Sequence, residues 1–254
     1  MLRVYHLLLG AILLVLMPLG VRFFLPYFSA TKVEKPNPVV TPTQSNSPQA
    51  SPSTTPQSAE ENIWKRILGS EIPTPNGWQV AACQGNAPLL CISSKGEILG
   101  TVEIGVYPVK NNPDFQKNLT AAGIPLNSQV DYQSPKYQTQ LLKALRAWVA
   151  NFYATLAKDR QSSYANKIVF SSYPPQQASV GKLQGIRYGF IGLKVEGGVQ
   201  EQHIGYVAFD GTMLYVISTA FDPSSVTGKF EKLENLAIFQ PYLDTLAANL
   251  NLPR

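Results

Sequence analysis

Residues 36–58 read PNPVVTPTQSNSPQASPSTTPQS, a tract with six prolines, no charge and hardly an apolar side chain to bury. Fixing such a backbone costs about 1–2 kcal/mol per residue, and the tract has no core to offset it. It is expected to be a flexible spacer with a reach on the order of 25 Å, since a polar coil spans about 5–6 Å times the square root of its length. This punctuation divides the chain into an apolar N-terminal segment (1–30), a Pro/Ser/Thr-rich linker (31–62) and one stretch able to build a core (63–254).

The N-terminal segment opens with Arg3 and continues through the uncharged run LLLGAILLVLMPLGV, Leu7 to Val21, then Arg22 and FFLPYF. A helix apolar all round, set apart from the rest of the chain by a spacer, is expected to enter a bilayer. Extended to Phe28 it is long enough to span if Arg22 snorkels to the interface. Two readings stay open: an uncleaved transmembrane anchor, which is favoured, or a signal segment whose removal would release a secreted domain. Cleavage after Ala30 would place bulky Phe28 where a signal peptidase prefers a small residue, hence the preference. No Cys follows the run directly, which argues against lipoprotein-type processing. The flanking charges, Arg3 before and Arg22, Lys32 and Lys35 after, do not fix orientation.

Net charge is +5, but the basic residues are scattered and form no stripe interleaved with aromatics, so nucleic acid is not an expected partner. The two cysteines, Cys83 and Cys91, lie in GWQVAACQGNAPLLCISSKGEILGTVEIGVYPV, where Trp78 to Cys83 and Leu89 to Ser94 read as strands around a Gln-Gly-Asn-Ala-Pro turn. Such a hairpin brings the thiols together. A disulfide is favoured over a pair of buried free thiols, because the spacing is not C-x-x-C and too few His or Cys exist to complete a metal site. Closing so short a loop is worth about 2.5 kcal/mol and implies an oxidising compartment.

Ile98 to Tyr107 reads as a third strand and Asn112 to Gly123 as a short helix capped by Asn111 or Asn112. From about Gln138 to Ser162, Leu141, Leu145, Trp148, Val149, Phe152, Tyr153 and Leu156 recur at three- and four-residue steps, the stripe of an amphipathic helix. Four strands follow, Lys167 to Ser172, Lys182 to Glu196, Val199 to Asp210 and Thr212 to Phe221; Gly197-Gly198 and Asp210-Gly211 mark tight hairpins. Ile186, Tyr188 and Phe190 fall on one face and Ile191, Leu193 and Val195 on the other, so both faces need cover. The C-terminal cover is a helix with Pro241 in its first turn, running through Leu243, Leu246, Ala247 and Leu250. The expected fold is α+β, an antiparallel meander sandwiched between helices.

His203 is the only histidine after residue 6, so any His-dependent catalysis must use it. In Gln200-Glu201-Gln202-His203 it reads as a solvated strand residue, with Asp210, Glu196 and Glu201 as turn and surface groups. There is no G-x-S-x-G, no phosphate-binding Gly loop with Lys and no H-E-x-x-H. No catalytic residue, metal ligand or cofactor is therefore assigned. A ligand pocket between helix and sheet would draw on Trp148, Phe152, Tyr188 and Phe190, although core packing is the commoner use of such rings.

The element order, together with Asn76-Gly77-Trp78, Arg187-Tyr188-Gly189-Phe190 and Phe209-Asp210-Gly211-Thr212-Met213-Leu214-Tyr215-Val216 leading to Ala220, resembles the PsbP/Mog1-type fold over most of residues 71–252. That family includes photosystem II extrinsic and assembly proteins, a Ran-binding factor and bacterial envelope lipoproteins. The resemblance implies a non-enzymatic domain. The expected function is a membrane-anchored interaction module in the periplasm or thylakoid lumen, accessory to a membrane protein complex. The alternatives are a carrier or sensor of a small apolar ligand or lipid, and a hydrolase using His203.

Overall fold

In a computed structural model of the chain, residues 61–69, 72–126 and 131–252 are described. The expected membrane segment and nearly all of the linker lie outside these residues. Among the described residues no helix is long and apolar enough to cross a membrane.

The chain begins with a one-turn helix, α1 (Trp64–Ile67), followed by β1 (Trp78–Ala82), β2 (Leu89–Ser94) and β3 (Glu97–Pro108). Helix α2 (Pro113–Ala121) starts where the Asn112 side chain accepts from Phe115 N, with Pro113 at its first position. Helix α3 (Pro135–Tyr164) is longer than its apolar stripe suggested, starting at a proline whose missing N–H costs nothing in a first turn. Strands β4 (Ile168–Ser172), β5 (Gln176–Val180), β6 (Leu183–Lys194), β7 (Val199–Phe209), β8 (Met213–Phe221) and β9 (Lys229–Phe230) lead to α4 (Leu233–Ala248).

All nine strands form one sheet in the order β1-β2-β3-β9-β8-β7-β6-β4, with β5 also paired to β6. The expected meander is present as β4-β6-β7-β8. Three features go beyond it. Strand β3 pairs antiparallel with β8 from Glu103↔Ser218 to Pro108↔Met213, joining the N-terminal hairpin to the meander. Strand β9 lies parallel to β8, so the sheet is mixed rather than purely antiparallel. Finally, β4 and β5 share one edge of the long β6, from Ser172↔Phe190 to Gln176↔Arg187. Pro174-Pro175 stands in the gap because neither residue has an N–H to give to a ladder.

The centre of the sheet is covered on both faces, but the expected cover over Ile191, Leu193 and Val195 is not present: Leu193 and Val195 are exposed, next to exposed Val169 on β4, at the end of β6 beyond the helices. Ile186, Tyr188, Val207, Phe209 and Leu214 pack against α2 and α3, while Ile204, Tyr206, Tyr215 and Ile217 pack against α4. Helix α4 corrects one expectation. Pro241 lies inside the helix, not in its first turn, because Leu236, Phe239, Leu243, Leu246 and Ala247 form one buried stripe across it. Pro241 sits on the exposed side, and burying Leu236 and Phe239 gains about 1.5–3 kcal/mol each, against roughly 3 for an interior proline.

Candidate functional site

The polar centre of the domain is built at the far end of α3. On β7, alternation places Glu201, His203, Gly205, Val207 and Phe209 on the face covered by α3. His203 pairs with Phe190 across the strands, and their rings stack with centroids 4.2 Å apart. Arg160, from the penultimate turn of α3, donates through Nε and Nη2 to the two carboxylate oxygens of Glu201 at 2.6 and 2.7 Å. Asp222, just past β8, lies 3.3 Å from His203 Nε2 and 3.6 Å from Arg160 Nη2. His203 Nε2 is also 3.0 Å from Glu201 Oε2. The side chains of Glu201 and Asp222 are only 1% and 5% exposed, so their charges must be met internally.

The charges balance when His203 is protonated: Arg160 and His203 against Glu201 and Asp222. Burial alone would lower the His203 pKa, but hydrogen bonds to Asp222 and Glu201 carry it above the ordinary histidine value. Burial would likewise raise both carboxylates; the bonds from His203 and Arg160 hold Glu201 below its usual range, and those from His203 and Ser224 hold Asp222 well below it.

Glu201, His203 and Asp222 offer three donor atoms within 4.8 Å of one another, the spacing of a metal site. The guanidinium chelating both Glu201 oxygens opposes that use, since a cation would have to displace a charge already paired there. Ser224 Oγ donates to Asp222 Oδ1 at 2.6 Å, an arrangement that caps the turn rather than presenting a nucleophile to His203. The cluster is an ion-paired clamp that ties α3 to β7 and β8.

Two sequence readings are corrected here. Glu201 is fully buried rather than a surface group, and His203 is a half-buried member of an ion network rather than a solvated residue. The available signal was Gly192, opposite Glu201 in register, where an added Cβ would stand 2.9 Å from Glu201 Cγ. A glycine at that point in a central strand leaves room for a long side chain to lie flat.

The four aromatics expected to line a pocket divide into two groups. Trp148 and Phe152 stack at 5.6 Å and both meet Tyr188 edge-on, at 5.8 and 5.4 Å. Phe190 lies further along β6 between Phe170 and His203. Cys83 and Cys91 are joined by a disulfide, which closes the tip of the β1–β2 hairpin. Asn62, the last residue of the expected linker, is buried against that hairpin and donates to the carbonyls of Cys83 and Leu89 at 3.0 and 2.9 Å. Trp64 Nε1 donates to Pro88 O at 2.9 Å.

No family model and no curated protein matches the chain. Among solved structures it is similar to the solution structure of cyanobacterial PsbP (CyanoP) from Synechocystis sp. PCC 6803, with a TM-score of 0.34 and 9% identity. The match covers 72% of this chain and 85% of that one.

Proposed function

We propose that the chain is a membrane-tethered, non-catalytic binding domain on the extracytoplasmic side of a bilayer, accessory to a membrane protein complex. The observation that carries this reading is the clamp: the histidine on which acid–base chemistry would depend is held between two carboxylates, one of them chelated by Arg160. Both cysteines are spent in a disulfide, which fits an oxidising compartment and leaves no thiol among the described residues for catalysis. A domain built this way acts by what it holds, and the N-terminal apolar run followed by a polar spacer supplies the means to hold it at a membrane.

The test uses the full-length chain in its own membranes: carbonate extraction, thiol alkylation with and without reductant, and native electrophoresis after mild detergent. The expected result is a chain that stays in the pellet, labels at Cys83 and Cys91 only after reduction, and migrates well above its own mass with a defined membrane complex. A carbonate-soluble chain migrating as a free monomer would overturn the reading. The hydrolase alternative is opposed by the Ser224–Asp222 bond and would be revived by an activity that His203→Ala abolishes without loss of stability.

A further inference from the structure

Away from the clamp, on the face covered by α4, a cavity of about 550 Å³ opens where the first and last described segments meet the sheet. Its walls are held by backbone. Asn251 N donates to Ile67 O at 2.7 Å, and Gly181 N to Ala247 O at 2.7 Å, so the α1 segment, the β5–β6 turn and the tail after α4 are stitched around one space. The size falls in the range of small-molecule sites, about 300–1,000 Å³.

The lining has a definite chemistry. Ile63, Ile67, Val106, Met213, Leu250 and Leu252 supply its apolar lining, which exceeds the polar part. Its charged groups are Arg66 and Lys182, both exposed and neither ion-paired among the described residues, whereas Lys65 beside them pairs with Glu61 at 3.3 Å. No acidic side chain among the described residues lines the space, and Tyr215, which does line it, donates its hydroxyl to Asp210 at 2.8 Å. A mostly apolar trough with two cations that have no ion-pair partner among the described residues suits a molecule with an apolar body and an anionic head; a neutral hydrophobe would leave the cations unused, and a polar anion would leave the trough wet.

We infer that this cavity binds an amphiphilic anion, a hydrocarbon chain ending in a carboxylate or phosphate, with the head between Arg66 and Lys182. Two sources share that chemistry, a free fatty acid and an anionic bilayer lipid. The second is within reach because the expected linker ends at residue 62 and Ile63 already lines the cavity. That choice of source rests on the membrane reading above; the site itself does not.

The test is photolabelling of the full-length chain. One arm uses a diazirine-bearing palmitic acid added to the chain in buffer with non-ionic detergent; the other uses a diazirine-bearing phosphatidylglycerol in phosphatidylcholine nanodiscs. Adducts are mapped by mass spectrometry and are expected on peptides containing residues 63–67, 213–215 or 250–252. Arg66→Glu with Lys182→Glu is expected to cut labelling about tenfold, the effect of roughly 1.4 kcal/mol in head-group binding. Arg66→Lys with Lys182→Arg should retain it, and thermal unfolding monitors the fold of each variant. If the double reversal does not fold, Lys182→Glu alone, at an exposed turn, is expected to reduce labelling several-fold. Labelling by the fatty acid alone supports the site with a soluble ligand; labelling by the lipid supports it with the bilayer as source. Adducts elsewhere, or adducts indifferent to charge reversal, overturn it. Because carbonate extraction tests anchorage separately, failure of the membrane reading and failure of the site are distinguishable.

Discussion

Arg160 grips Glu201 by both carboxylate oxygens, 2.6 and 2.7 Å away and 41 residues on in sequence. With the two side chains 14% and 1% exposed, neither charge has much water to return to if its partner is lost. Glu201→Gln keeps the shape and removes the charge, and is expected to cost about 3 kcal/mol, since breaking a buried pair typically costs 3–5 and Asp159 and Asp222 still face Arg160. Removing the pair together, Arg160→Met with Glu201→Leu, leaves His203 and Asp222 balanced and should recover most of that loss. Urea unfolding midpoints decide it: a double variant no more stable than Glu201→Gln would mean that the pair itself, not the stranded charge, sustains the fold.

The same cluster predicts a stability optimum in mildly acidic solution. His203 faces Glu201 and Asp222 directly, with Arg160 and Asp159 contributed by α3. Its folded pKa is raised, so its contribution is complete below the unfolded value of about 6.5 and is lost as pH climbs through the folded value. Glu201 and Asp222 have depressed folded values, so theirs is present above about pH 4 and lost as pH falls further. Stability measured by denaturant titration should therefore be greatest between about pH 4.5 and 6.5. His203→Gln is expected to flatten the decline on the alkaline side only; an unchanged alkaline limb would show that His203 does not couple to folding.

What the sequence disclosed and what it hid follow from range. The α3 stripe and the Gly197-Gly198 and Asp210-Gly211 hairpins are written in residues a few positions apart, and they appear where expected. On β6 only one of the two expected faces is buried: Ile186, Tyr188 and Phe190 are covered, whereas Leu193 and Val195 are exposed, because alternation shows which residues share a face and not whether a layer reaches it. The β3–β8 pairing and the clamp depend on partners from 41 to over 100 residues away, and the local trace of the buried carboxylate is Gly192 across the hairpin, which does not reveal the Arg160 partner. Pro241 misled because a proline constrains one backbone position, whereas the α4 stripe integrates burial over four turns. Asn62 adjoins a tract of similar polarity, and only the hairpin carbonyls it meets reveal it as a core residue.

The β1–β2 tip is fastened twice, by Cys83–Cys91 and by the Asn62 amide. The disulfide, closing a loop of sequence separation 8, is expected to contribute about 2.5 kcal/mol, so Cys83→Ala with Cys91→Ala should lower stability by that amount. Asn62→Ala removes two donors from hairpin carbonyls and should cost about 2 kcal/mol. Both changes act on one short segment, so their combination is expected to be non-additive. Chemical denaturation gives the sum, and amide exchange at β1 and β2 should rise in both variants while β6 and β7 stay protected. Uniform loss of protection across the sheet would contradict a local fastening.

Tyr188 lies across Gly205, its register partner, and a Cβ added at Gly205 would come within 2.4 Å of the Tyr188 ring. The glycine is therefore what allows the ring to lie flat on the sheet and present its face to Trp148 and Phe152 on α3. Gly205→Ala should force Tyr188 off its position and cost about 2 kcal/mol, the usual scale for overpacking. The near-ultraviolet circular dichroism should change with it, because Trp148 loses its edge contact. In a Tyr188→Leu background the obstructing ring is gone, and the same glycine substitution should cost about half as much or less. Equal costs in the two backgrounds would place the clash in the backbone of β7 rather than in the aromatic contact between sheet and helix.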